Sequence, residues 1–218
     1  MKIIAFLMAL LLPLLASAGS YENMEAALIR GESATAIDLI KRGMDINTVD
    51  REGNTLLVQA VRKDMSTLFD YLIRNRARLN TRNKNGETAL SIAAFTGKFP
   101  YVKQLVDAGA DVNFYGWAPL AYAAYNGHME IVDYLLKHGA AIDATTENGS
   151  TALFFAARFG HEAVIDLLLK NKADPTIANE REETAVDWAV KSGNASIEDK
   201  LRAAGGRSGK SVQIELSK

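Results

Sequence analysis

The chain has no cysteine. That absence excludes disulfide staples, a CxxC redox pair, a thiol nucleophile, thiolate metal sites and a lipid-modified bacterial N-terminus. An excess of either charge is also missing, since 25 Lys and Arg stand against 26 Asp and Glu. With no basic surplus, nothing suggests a nucleic-acid partner. Histidine occurs three times, which leaves few imidazoles for acid–base work or metal binding. Long apolar runs are missing beyond the N-terminus, so the mature chain is expected to carry no membrane span.

The N-terminal exception, "MKIIAFLMALLLPLLASAG", has the three parts of a secretory signal. Lys2 gives a basic start, and Ile3 to Leu15 form an apolar run broken by Pro13. This run falls short of the roughly 20 residues a spanning helix requires. Ala16-Ser17-Ala18 offers small residues to a signal peptidase. Residues 1–18 are therefore read as a signal peptide, with a retained anchor helix as the alternative, and the mature protein is placed in the periplasm or outside the cell. Export without disulfides fits a bacterial periplasm better than a eukaryotic exterior.

What the remaining chain has is self-similarity. Thr55-Leu56-Leu57, Thr88-Ala89-Leu90, Ala118-Pro119-Leu120, Thr151-Ala152-Leu153 and Thr184-Ala185-Val186 follow one another at steps of 33, 30, 33 and 33 residues. Gly53, Gly86, Gly116 and Gly149 each precede a triplet by two residues, and Ala60, Ala93, Ala123 and Ala156 follow at a fixed offset. Then come "GKFPYVKQLVDAGADVN", "GHMEIVDYLLKHGAAID" and "GHEAVIDLLLKNKADPT", whose apolar residues recur at helical spacing before a glycine or polar turn. Each unit reads as a turn and two helices of about eight to ten residues. Helices this short do not persist alone in water, so stability is expected from stacking of neighbours. Thr at the first-helix start accepts a hydrogen bond from a free amide, and Pro119 at the next position has no donor to lose.

This pattern closely resembles the ankyrin repeat, with its T-P-L-H-x-A-A helix start, its G-H turn and its G-A-D-V-N end. The resemblance covers roughly Tyr21 to Gly205, within a repeat domain placed at residues 19–205, with a degenerate first unit at 22–47 and a last unit at 184–205. It implies an all-α ankyrin-repeat solenoid of about six helix-turn-helix units with β-turn fingers, followed by a flexible tail at 206–218. Within that tail, "SVQIEL" alternates polar and apolar residues and is either disordered or a strand-like addition. The family histidine is replaced by Val58, Ser91, Ala121, Phe154 and Asp187, so its hydrogen bond is expected to be lost. Glu180, Arg181, Glu182 and Glu183 are read as an outward-facing polar cap.

The step of 30 arises between Asn113 and Gly116, where one finger loses three residues. Its remnant carries Phe114, Tyr115 and Trp117, none of which a turn requires. Eight of the seventeen aromatics lie between Phe95 and Tyr125. The resemblance implies that partners bind finger tips and the concave ridge at the end of each first helix, which here is Arg62 and Lys63, Phe95 and Thr96, Tyr125 and Asn126, Arg158 and Phe159, then Lys191 and Ser192. Neighbouring helices pack about 8 to 10 Å apart, so Phe95, Tyr125 and Phe159 are expected in a row, flanked by Arg62 and Arg158. The candidate partner-binding residues are Arg62, Phe95, Phe114, Tyr115, Trp117, Tyr125, Arg158 and Phe159. Either these rings meet a partner or they fill space left by the shortened finger, and Tyr122 is expected to pack inside.

Candidates for chemistry fail one by one. His128 and His161 occupy equivalent places in adjacent units, too far apart to share a zinc. His138 ends a helix, where a cation suits the dipole, and Asp45, Asp111 and Asp174 cap turns. "AAGGRSGK" is too close to the C-terminus to be followed by the helix a phosphate loop needs. No catalytic residue, metal or cofactor is assigned. The expected function is recognition of one protein partner, and similar exported bacterial proteins neutralise a secreted toxin as immunity factors or support an antioxidant enzyme such as catalase. A scaffold for several partners is a further reading.

Overall fold

The computed structural model describes residue 19 and residues 21–209 of the 218-residue chain. The signal segment at 1–18 and the "SVQIEL" stretch lie outside the described residues. Residues 21–30 are helical and form α1. They are followed by α2 (Ser33–Lys41), α3 (Leu56–Arg62), α4 (Ser66–Arg74), α5 (Ala89–Phe95), α6 (Phe99–Asp107), α7 (Pro119–Tyr125), α8 (Met129–Lys137), α9 (Ala152–Arg158), α10 (Glu162–Lys170), α11 (Ala185–Lys191) and α12 (Ala195–Ala203). No strand occurs among the described residues, and one isolated antiparallel bridge joins Val49 to Thr55. The fold is an all-α repeat solenoid of helix pairs. From α3 onward the first helix of each pair has seven residues and the second nine, so the first helices are shorter than their periodicity suggests.

The chain divides into two compact units between Arg78 and Leu79. In the first, α2 and α3 pack on α4, and Met24, Ala27, Ala36, Leu57, Leu68, Phe69 and Leu72 fill the interior. In the second, α5, α7, α9 and α11 stack in order. Ala93, Ala94, Ala123, Ala124, Ala156 and Ala157 are fully buried between them, because a single methyl lets helices approach closely. The second helices form a parallel layer, burying Tyr101, Val102 and Leu105 in α6, Ile131, Val132 and Leu135 in α8, and Val164, Ile165 and Leu168 in α10. These trios share one spacing, so each helix turns the same stripe inward. Burying each such aliphatic side chain contributes about 1.5–3 kcal/mol.

The first helices start as the sequence implies. The hydroxyls of Thr55, Thr88, Thr151 and Thr184 accept from the amides of Val58, Ser91, Phe154 and Asp187. Ala118, at the same place before Pro119, has no such bond. The expected loss at the histidine position is corrected at two sites. Ser91 Oγ accepts from the Thr88 amide at 2.8 Å, and Asp187 Oδ2 accepts from the Thr184 amide at 2.8 Å, so both close capping boxes. Short polar side chains recover the bond without a ring.

Asp45, Asp111 and Asp174 do close their turns, each accepting from the amide two residues on at 2.8–2.9 Å. An adjacent column ties repeat to repeat. Within the first unit Asn47 Oδ1 accepts from the Arg78 amide at 2.8 Å. In the second, Asn80, Asn113 and Asp143 accept from the amides of Asp111, Ala141 and Asp174 at 2.8–3.0 Å. The last described residues are also tied down. Residues 206–209, assigned to the tail on sequence grounds, run back to α11: Thr184 Oγ1 donates to the Arg207 carbonyl at 2.8 Å, and the Gly209 amide donates to Asp187 Oδ2 at 2.8 Å.

Candidate partner-binding surface

The fingers of the second unit determine where its aromatics sit. An ordinary finger is folded by a short polar side chain at its base. Asn83 Oδ1 accepts from the amides of Asn85 and Glu87 at 3.0 and 2.9 Å, and Asn179 Oδ1 from those of Arg181 and Glu183 at 2.9 and 3.0 Å. The shortened finger has no room for that turn and is held from the preceding one instead. Arg82 Nε donates to the Gly86 carbonyl at 2.8 Å, Nη2 donates to the Tyr115 carbonyl at 2.9 Å, and the guanidinium lies 4.6 Å from the centre of the Phe114 ring. Phe114 is half-buried in this clasp, while Tyr115 beside it projects with 75% of its surface exposed.

Behind the finger the rings form one connected set. Trp117 stacks on Phe155 with centroids 4.6 Å apart and meets Tyr122 at 5.1 Å and Tyr125 at 6.0 Å. Phe95 meets Tyr122 edge-on at 5.6 Å and Tyr125 at 6.2 Å, and Tyr125 meets Phe159 at 4.3 Å. The row Phe95, Tyr125, Phe159 is thus assembled, and such pairs favour offset and edge-on contacts. Its members differ in exposure. Phe95 and Phe159 are 40% and 39% exposed, whereas Trp117 and Tyr125 are half-buried against the cluster of Ala121, Phe154 and Phe155. Both explanations for the rings apply, residue by residue: Trp117, Tyr122 and Tyr125 are half-buried, packed on neighbouring rings with part of each left at the surface, while Phe95, Phe159 and Tyr115 face outward.

The two G-H histidines hold this row from below. His128 Nε2 lies 3.1 Å from the Phe95 carbonyl, and His161 Nε2 lies 2.9 Å from the Tyr125 carbonyl. Each reaches back one repeat to the last turn of a first helix. Gly97 and Gly127 make this possible, since both have positive φ and a Cβ on either would come within 2.6 Å of the histidine ring below. His138 packs on Tyr134 with centroids 4.0 Å apart, its Nδ1 2.7 Å from the Tyr134 carbonyl. Among the described residues no group of three or more His, Cys, Asp or Glu is placed to hold a metal ion.

The row ends at a cationic pocket. Arg158 lies 5.3 Å from the centre of the Phe159 ring and 4.4 Å from that of Trp188, with Lys191 5.2 Å from the same indole. Beneath lies Glu183. Its place in an outward polar cap is corrected: it is 9% exposed, taking Lys191 Nζ at 2.6 Å, Asn179 Nδ2 at 3.2 Å and Trp188 Nε1 at 3.3 Å. Burial pushes its carboxyl up, but the donated bonds and the Lys191 charge outweigh that and hold it below the ordinary glutamate value. Sequence reading missed Trp188, Arg82 and Arg181. A signal existed for Trp188, which continues the column Ile92, Tyr122, Phe155 at the repeat step. Arg82 has no such signal, because the Tyr115 carbonyl it holds lies 33 residues away. Arg62 belongs to the first unit, where it is exposed at the end of α3.

Stacked short helix pairs, tied by turn asparagines and carrying an exposed ridge of rings, define a repeat scaffold for binding. The family model for ankyrin repeats in three copies matches residues 23–115, 57–146, 101–179 and 120–205, and the chain belongs to the ankyrin repeat family. It is 44% identical over 78 residues to rat Ankyrin repeat and SAM domain-containing protein 6, covering 34% of this chain and 9% of that protein. To the Xenopus laevis Neurogenic locus notch homolog protein 1 it is 34% identical over 136 residues, covering 61% and 5%. A putative ankyrin repeat protein of Rickettsia bellii is 30% identical over 123 residues, covering 51% and 35%. The chain thus spans from 5% to 35% of the length of these relatives. The crystal structure of the human ASB11 ankyrin repeat domain superposes with a TM-score of 0.75 at 22% identity, covering 84% of each chain. At that identity the likeness shows the fold. Ankyrin repeats generally serve as protein-interaction modules.

Proposed function

We propose that this chain is an exported, non-catalytic binding protein that grips one partner protein through the ring-bearing surface of its second unit. The observation that carries the reading is the solvent-facing row Phe95–Tyr125–Phe159, with Tyr115 projecting beside it. Exposed apolar clusters of this kind mark contact sites, and aromatics with arginine dominate interface energetics. Trp117 and Phe114 serve this surface from within by fixing Tyr125 and the finger. Export rests on the tripartite N-terminal segment, and a bacterial periplasm on that segment, the absence of cysteine and the Rickettsia relative. Neutralising a secreted toxin and supporting an antioxidant enzyme such as catalase both require recognition alone.

Two measurements test this. N-terminal sequencing of the protein from a periplasmic extract is expected to begin at Gly19. In the same extract, a partner that co-purifies with the native chain is expected to be lost from the Phe95→Ser/Tyr115→Ser/Phe159→Ser variant, with a melting temperature within a few degrees of the parent. A partner that binds the triple variant undiminished eliminates this surface, and a mature chain retaining residues 1–18 eliminates export by cleavage. The identity of the retained protein separates a toxin from an enzyme.

A further inference from the structure

We infer that the cationic end of the row is a carboxylate pocket: the partner presents an acidic side chain next to an apolar one, the acid between Arg158 and Arg181 and the apolar group on Phe159 and Tyr125. This rests on the surface proposed above and names the chemistry it selects.

A surface cavity of about 200 Å³ is lined by Arg158, Arg181, Asn148, Asn179, Phe154 and Trp188, together with Glu183. Glu183 is the sole carboxylate in this lining, and Lys191, Asn179 and Trp188 already occupy it. Its charge is therefore offset by Lys191, and it forms no ion pair with either arginine. Arg158 and Arg181 form no ion pair with a carboxylate among the described residues, whereas three other surface cations of the second unit do. Lys137 pairs with Asp133 at 2.6 Å, Lys200 with Asp166 at 2.7 Å and Arg202 with Glu198 at 2.8 Å. Two guanidiniums without a carboxylate partner on one polar cavity offer the charge and the donors that a carboxylate complements.

The arrangement also fixes geometry. Arg158 is held over the Trp188 indole at 4.4 Å and beside Phe159 at 5.3 Å, within the range where ring and cation attract. Stacking orients the guanidinium plane while its N–H groups remain free, and a planar fork recognises a carboxylate through two parallel hydrogen bonds. Because the same Arg158 touches the last ring of the exposed row, neighbouring residues of one partner segment can supply both the acid and the apolar contact.

The test uses the mature chain, residues 19–218, and a displayed random-peptide library, with winning sequences resynthesised as acetylated, amidated and fluorescently labelled peptides. Blocked ends leave side chains as the only source of carboxylate. Winners are expected to carry Asp or Glu adjacent to an aromatic or branched apolar residue. By anisotropy, Arg158→Gln/Arg181→Gln is expected to weaken them about tenfold or more, and replacing the peptide's acid by its amide is expected to have no further effect in that variant. Phe159→Ser weakens the same peptides if the row is the site. Winners without an acid, or equal binding by the double variant, overturn the carboxylate pocket; if Phe159→Ser still abolishes binding, the row stands without it. Binding insensitive to all three changes, or no enrichment at all, overturns both. Displacement by an oligonucleotide at lower concentration than by unlabelled acidic peptide overturns the pocket in favour of a phosphate ligand.

Discussion

At the scale of single residues, the repeats supply internal controls for one another. Four first helices begin with a threonine whose hydroxyl satisfies an amide, while α7 begins at Ala118 with extended backbone (φ −64°, ψ 157°) and no such bond. The capping threonines are as deeply buried as Ala118, so their environment tolerates the extra atoms. Ala118→Thr is therefore expected to stabilise the protein by about 0.5–1 kcal/mol. For a chain of this size that is a rise of about 1–4 °C in melting temperature, read by circular dichroism. An unchanged or lower value contradicts the reading that a capping hydroxyl is what this helix start lacks.

At the scale of elements, the histidine reaching back one repeat is the device that joins the second-helix layer to the ridge. His161 supports the Tyr125 carbonyl at 2.9 Å, and His128 supports the Phe95 carbonyl at 3.1 Å. The two are not equal, because the Phe95 carbonyl also receives Asn126 Nδ2 at 2.6 Å. Removing His128 leaves that acceptor a partner. His161→Ala is accordingly expected to lower stability by about 1–3 kcal/mol, and His128→Ala by less. Urea unfolding that shifts the midpoint without changing the slope verifies both, and a larger loss for His128→Ala contradicts the assignment of roles.

At the scale of the whole molecule, acid is the condition that acts on several repeats together. Burial pushes the Asp50 carboxyl up, but bonds from Asn54, from the backbone of Asn54 and Glu52 and from Gln59 prevail and lower it. Thr176 lowers Asp174, and Glu183 is lowered as described. Folded values below the unfolded ones mean stability that is fully present above about pH 4.5 and is lost as pH falls through the folded values. The melting temperature is expected to hold from pH 7 to about pH 5 and then decline towards pH 3. In Glu183→Gln the decline is shallower from a lower starting value, since the buried amide cannot hold Lys191 as an ion. Parallel curves for parent and variant contradict a role for Glu183 in the acid response.

The sequence by itself determined the repeat phase, the helix pairs, the threonine caps, the alanine seam and the column that carries Phe95, Tyr125 and Arg158. All of these are set by residues within one repeat or by a constant step between repeats, and periodicity reports such features directly. Only the tertiary structure decided which ring faces out and which faces in. It decided that Arg82 clasps a finger 33 residues on, that Glu183 turns inward to Lys191 and Trp188, and that Arg158 is left with a ring below it and no carboxylate paired to it. These outcomes depend on how side chains of different repeats compete for the same space once the repeats stack, and a one-dimensional pattern carries no record of that competition.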